Sequence, residues 1–85
     1  MKVLVPSALR SYTGASPVEA AGESLLALLA DLDRRYPGLR FRVVDERELL
    51  RPNMRIFVNG TGVRDLGRAL QPEDCVAIVQ ALSGG

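Results

Sequence analysis

Ser24-Leu-Leu-Ala-Leu-Leu-Ala-Asp-Leu-Asp-Arg-Arg-Tyr-Pro-Gly38 decides how the rest of the chain must be arranged. Leu25, Leu28, Leu29, Leu32 and Tyr36 recur at i, i+3, i+4, i+7 and i+11, which lines them up as one apolar stripe on an α-helix. Asp31, Asp33, Arg34 and Arg35 take the other side. Ser24 offers a hydroxyl at the N-cap. At the far end Pro37 pushes Tyr36 out of the α region, and Gly38 accepts the positive φ of a helix exit. A helix with a single apolar stripe needs one apolar surface to lie on.

The segments on either side read as the strands that make that surface. Met54-Arg-Ile-Phe-Val-Asn59 alternates, with Met54, Ile56 and Val58 on one face and Arg55, Phe57 and Asn59 on the other. Gly60-Thr-Gly62 turns it into a short partner around Val63 and Arg64. Leu66 to Leu70 is a small crossover and Gln71 to Asp74 a turn, after which the β-branched run from Cys75 to about Ala81 reads as the last strand. Upstream, Lys2 to Pro6 is a first strand, and Pro17 to Ala21 returns beside it after the turn formers Ser11 to Ser16. Leu39 to Asn53 reads as irregular, with Arg40 to Val44 a short extended piece and Glu46 to Leu50 a helical turn. The fold class is α+β, in two layers: one helix across one face of a four- to five-stranded sheet, with the other face in water.

Composition narrows the function. Eighty-five residues, 47% hydrophobic and 25% charged, suffice for one globular domain with a small core. A formal charge of +1 argues against nucleic acid as the partner, because phosphate binding needs a marked basic excess on one face. The cluster Arg34, Arg35, Arg40 and Arg42 is interleaved with Asp31, Asp33, Asp45, Glu46 and Glu48 and reads as a mixed solvated surface. Pro6 stops the apolar start Val3-Leu4-Val5 well short of a signal or membrane segment, so no membrane partner is expected and the expected location is the cytoplasm. The single cysteine fits a reducing compartment.

The chain has no histidine, which removes Ser-His-Asp and Cys-His chemistry and the commonest zinc ligand. No catalytic residue and no metal site is expected. Cys75 follows Glu73 and Asp74, and carboxylates beside a thiol disfavour the thiolate that a nucleophile needs. Asp45, Glu46 and Glu48 lack the apolar surroundings that separate the pKa values of an acid-base pair. Gly60-Thr-Gly62 has no third glycine in nucleotide-binding register, since the next is Gly67.

The end of the chain is unlike the rest. Ser83-Gly84-Gly85 follows the last strand directly, so residues 1–82 read as the domain and residues 83–85 as a thin, flexible tail. From Ala81 to Gly85 such an arm spans roughly 15 Å, at about 3.3–3.6 Å per residue, long enough to enter a narrow pocket of another protein.

Several pieces together carry a resemblance: Val5-Pro-Ser-Ala-Leu-Arg10 with Thr13-Gly14, Gly22-Glu-Ser-Leu25, Tyr36-Pro-Gly-Leu39, Ile56-Phe-Val-Asn-Gly60 with Val63-Arg64, and Gly84-Gly85. In this order, over most of the chain, they resemble the ubiquitin-like β-grasp sulfur carriers. That group contains the molybdopterin synthase small subunit, the thiazole-pathway carrier and the cysteine-biosynthesis carrier. The resemblance implies a mixed sheet and a carrier that is not itself an enzyme. In such carriers an ATP-dependent enzyme adenylates the terminal glycine, here Gly85, and sulfur transfer converts it to a thiocarboxylate. Ser83 and Gly84 would form the tail that enters the partner sites. No cofactor is held by the carrier, and ATP belongs to the adenylating and sulfurtransferase partner. A downstream sulfur-accepting enzyme is the second partner, and the free carrier is expected to be a monomer. Two departures from the molybdopterin type, Gln80-Ala-Leu-Ser83 before the glycines and Asp74-Cys75 before the last strand, stand out. The first, with the Pro6-to-Arg10 segment, tilts the reading toward donation to cysteine or a specialised sulfur-containing metabolite. Molybdopterin synthesis, a ubiquitin-like modifier joined to lysines, and a module that works through its sheet alone remain the alternatives.

Alternation also marks a docking surface. If Met54, Ile56 and Val58 face the helix, Phe57 faces out, and the same parity places Ala77, Val79 and Ala81 beside it near the root of the tail. The competing expectation is that the segment from Leu39 to Asn53 covers Phe57.

Overall fold

The structure is a computed structural model that describes residues 1–81. The elements follow the chain as β1 (Lys2–Leu4), a 3-10 turn (Ser7–Leu9), α1 (Arg10–Thr13), β2 (Val18–Glu19), α2 (Leu25–Arg35), α3 (Leu39–Val43), β3 (Met54–Val58), β4 (Thr61–Val63) and β5 (Cys75–Gln80). The strands form one sheet in the order β2-β1-β5-β3-β4. β1 and β5 are parallel and the other neighbours antiparallel, so the sheet is mixed, as the resemblance implies.

α2 is the helix foreseen from the leucine spacing. Leu25, Leu28, Leu29 and Leu32 are each at most 1% exposed. They pack against Val3 and Val5, Met54, Ile56 and Val58, and Val76 and Ile78, all buried in the same core. The Ser24 hydroxyl accepts the Ala27 N–H at 3.2 Å. The crossover completes the cap from outside: the orphan N–H groups of Leu25 and Leu26 donate to the carbonyls of Arg68 and Leu66, at 3.2 and 2.9 Å. Thus the Leu66-to-Leu70 segment, which has no regular structure, does the work of a second cap. Gly38 ends the helix at φ 96°, and its N–H donates to Asp33 at 3.0 Å.

Four local readings change. Arg40 to Val44 is not extended: α3 is helical and puts Leu39 and Val43 into the core, one turn apart, with Val44 beside them. Burial of that i, i+4 pair outweighs the strand preference of Val43-Val44. Glu46 to Leu50 is not helical either. The Asp45 carboxylate accepts the N–H groups of Arg47 and Leu49 at 2.8 and 3.1 Å, closing a tight loop that lets Val44 bridge to Leu50. Finally, the turn after β3 lies at Asn59-Gly60 and not at Gly60-Thr-Gly62. Both turn residues have positive φ, 50° and 86°, as a two-residue hairpin loop demands, and Thr61 already pairs with Val58. The chain between β1 and β2 is likewise more ordered than a plain turn, because burying Leu9 winds residues 7–13 into two short helical turns that end at Gly14.

Candidate functional site

Strand β5 is the centre strand, paired on one side to β1 and on the other to β3, and it carries the chain toward its final residues. Beyond it, the Ala81 N–H donates to the Asn53 carbonyl at 2.7 Å, so the end of the described chain is tied to the start of β3. The expected reacting group, Gly85, and the tail residues Ser83 and Gly84 lie outside the described residues, as does the expected boundary at residue 82.

The sheet face away from α2 holds the remaining expected residues. Ala77 pairs with Phe57 on one side and with Leu4 on the other, and Phe57 pairs in turn with Gly62, so the four form one row across the sheet. The Phe57 ring lies against Gly62, where an added Cβ would stand 3.6 Å from the ring edge. Val79 is in the next row, opposite Arg55, and Ala81 continues the same parity. Val79 and Leu4 are 39% and 41% exposed, while Phe57, Ala77 and Ala81 are half-buried. In the segment from Leu39 to Asn53, Leu39, Val43 and Val44 are buried in the core, while Phe41 and Leu49 are exposed. Leu4 is the member that reading the sequence for the last strands passed over. Its signal was available: it alternates with the buried Val3 and Val5.

The groups weighed for other chemistry have structural partners. Asp45 spends its carboxylate on its own loop, and the Leu49 N–H, ahead of the other groups around it, draws its pKa below the usual carboxylate range. Asp74 accepts the Gln71 N–H at 2.8 Å and the Asn59 side-chain amide at 2.9 Å, and these two bonds, the first the larger, hold its pKa down. Asn59 in turn accepts the Cys75 N–H at 2.9 Å and donates its own N–H to the Cys75 carbonyl at 2.8 Å. Asn59, Asp74 and Cys75 thus form a clasp between the β3-β4 turn and the start of β5. Cys75 itself is half-buried beside Lys2 on the neighbouring strand. No helix of the described residues is long and apolar enough to cross a membrane.

Comparison with known proteins agrees with this geometry. The model of the ThiS family matches residues 3–85. The sulfur carrier protein CysO of Mycobacterium tuberculosis is 35% identical over 89 residues, covering 98% of this chain and 96% of that protein. Among solved structures, a chain in the crystal structure of the Amycolatopsis orientalis BexX/CysO complex superposes with a TM-score of 0.90 at 33% identity, covering 99% of this chain and 98% of its own. The solution structure of small archaeal modifier protein 1 from Methanosarcina acetivorans gives a TM-score of 0.82 at 28% identity, covering 99% of this chain and 94% of its own.

Proposed function

The chain belongs to the ThiS family, and from that premise we propose that it is a sulfur carrier whose Gly85 carboxylate is adenylated and converted to a thiocarboxylate. The observation that carries the reading is the reach of the family match, which runs through residue 85 and so takes in Gly84 and Gly85 together with the domain. The 35% identity to a protein named as a sulfur carrier, along nearly the whole of both chains, supports it. The chemistry explains why a partner is needed. A terminal carboxylate is ionised at neutral pH, with an ordinary pKa of about 3.3–3.7, and is a poor electrophile. Attack of its oxygen on the α-phosphorus of ATP expels pyrophosphate and leaves an acyl-adenylate. A sulfide-level nucleophile then adds to the acyl carbon, and AMP departs with the oxygen. Glycine at both final positions keeps the acyl carbon accessible inside a narrow site. The chain contributes the reacting carboxylate and a docking surface, and its partner contributes the ATP site and the catalysis.

The docking surface is the row Leu4, Ala77, Phe57 with Val79 and Ala81. It is apolar, lies on the open sheet face and leads to the tail root, which suits a partner that must hold the domain while the tail is inserted. Cysteine or a specialised sulfur-containing metabolite is the product whose biosynthesis this reading favours, since the relative named above as a carrier is CysO.

The test is intact-mass analysis after incubation with the adenylating enzyme, ATP and a sulfur source. The full chain gains the difference between sulfur and oxygen, and a form lacking residues 84–85 gains nothing while melting as before. A truncated chain that still accepts sulfur refutes the terminal-carboxylate mechanism. Lysine-linked adducts in place of the thiocarboxylate would instead support a modifier.

A further inference from the structure

The end of β5 is bordered by arginines that have no acidic partner among the described residues. One cavity beside Gln80 is lined by Phe41, Arg42, Arg51 and Asn53, and Arg10 joins Val79 and Gln80 along a second one. Among the described residues, neither lining contains a carboxylate. Arg55 stands opposite Val79 on the adjacent strand, and its guanidinium donates to the Pro52 and Met54 carbonyls. Among the described residues Arg10, Arg42, Arg51 and Arg55 form no ion pair, whereas Arg34, Arg35, Arg40 and Arg47 are paired with Asp31, Glu48 or Asp45. Lys2, Arg64 and Arg68 are also without an ion pair among the described residues, but Lys2 pairs with Cys75 at the start of β5, and Arg64 and Arg68 lie on the β4-β5 connection. Among the described residues, four of the seven Lys and Arg side chains without an ion pair therefore stand around the end of β5.

Part of this cluster is already set in place. Arg51 lies 5.2 Å from the centroid of the Phe41 ring, and its Nε donates to the Phe41 carbonyl at 2.7 Å. Phe41 is 56% exposed, so the pair presents an aromatic plate with a guanidinium fixed on it. A planar guanidinium held in this way loses little freedom on meeting a carboxylate and can grip it through two parallel N–H groups. The tie between Asn53 and Ala81 joins this cluster to the tail root.

We propose that Arg10, Arg42, Arg51 and Arg55 form a basic collar that docks on an acidic protein surface bordering the opening into which the tail is inserted. The identity of that partner as the adenylating enzyme rests on the carrier reading above. The collar borders the apolar row on the sheet, since Arg55 stands opposite Val79 and Arg10 shares a cavity with Leu4, Ala77 and Val79: the row holds the domain, and the collar steers and orients it so that the tail meets its channel.

Two measurements test the collar. In the first, an oligoglutamate peptide is titrated into the full chain and followed by amide chemical shifts. Shifts centred on Phe41, Arg42, Arg51 and Arg10 are expected; shifts centred on Arg64 and Arg68, or an oligonucleotide of equal charge binding more tightly at the collar, overturn the proposal. In the second, thiocarboxylate formation by the adenylating enzyme is measured across salt concentrations for the native chain, Arg42→Gln, Arg42→Glu and the control Arg64→Glu. At low salt, KM is expected to rise about threefold for Arg42→Gln and about tenfold for Arg42→Glu, with kcat unchanged and the difference shrinking as salt screens the charges. Equal KM values for Arg42→Glu and the native chain, or an equal loss in Arg64→Glu, overturn the proposal. Failure of the native chain to load at all refutes the carrier reading, while the peptide titration still decides whether the collar binds acidic chains.

Discussion

Ile56 and Phe57 are neighbours in β3 whose side chains leave the sheet in opposite directions, so truncating each to alanine separates folding from docking. Ile56 is 1% exposed and packs in the core with α2. Emptying such a site costs about 3 kcal/mol, the lost transfer energy plus the cavity left behind. For a domain of this size, at about 4–8 °C per kcal/mol, Ile56→Ala should lower Tm by roughly 12–24 °C. Phe57 covers Gly62 and Ala77 on the open face, and losing those cross-strand contacts should cost about 1 kcal/mol. Its larger effect is on the partner: an aromatic at the centre of a docking surface carries about 2 kcal/mol of binding, a loss of roughly thirtyfold in affinity on removal. Thermal melting by circular dichroism and titration calorimetry against the adenylating enzyme, run side by side on both variants, read the two quantities. Ile56→Ala is measured for binding well below its lowered Tm, where the folded fraction binds with near-native affinity. If Phe57→Ala melts early and binds normally, or Ile56→Ala melts normally and binds poorly, the assignment of the two faces is wrong.

Gly22→Ala should be among the most damaging small substitutions, because the new Cβ would stand 2.7 Å from Leu28 Cα and 2.8 Å from the Ala27 carbonyl carbon, both helix backbone, at a cost of about 3 kcal/mol; an unchanged urea midpoint would contradict it. Asp31 accepts the Ala21 N–H at 2.9 Å, and this bond, then Arg35 and Arg34, lowers its pKa from the ordinary 3.8 to about 2. The native carboxylate therefore contributes stability in full above about pH 4 and loses it as pH falls toward about 2, so the Tm difference between the native chain and Asp31→Asn should be largest above pH 4 and close over that window. A difference constant from pH 7 to pH 2 would remove Asp31 from the acid response. Cys75→Ser should leave sulfur loading on Gly85, since Cys75 serves the clasp through its backbone groups; a persulfide found on Cys75 in the native chain would overturn this.

Much of the fold was legible because its signals are local. The Leu25-to-Tyr36 spacing, the Ser24 cap and the Pro37-Gly38 stop all act within one helix, and α2 runs between them. Alternation in Met54–Val58 and Cys75–Gln80 likewise settled which side chains face the core. The segment after Gly38 was not legible in the same way. Arg40-Phe-Arg-Val-Val44 carries both a strand-like composition and a helical i, i+4 pair, and only a pocket in the core that accepts Leu39 and Val43 together decides between them.

For the site, the ending in Gly84-Gly85, the absence of histidine and the parity that puts Phe57, Ala77 and Val79 on one face can be read directly from the residues. Tertiary structure decided what no single segment contains. Parallel pairing of β1 with β5 brings Leu4 into the row, although it lies 73 residues from Ala77 in the chain. The folding-back of α3 and the following loop carries Arg42 and Arg51 to the strand end where Arg10 arrives from the other side. The physical reason is range. Backbone preference and periodicity act over a few residues, whereas a surface is assembled from whatever side chains the burial of a common core leaves outside.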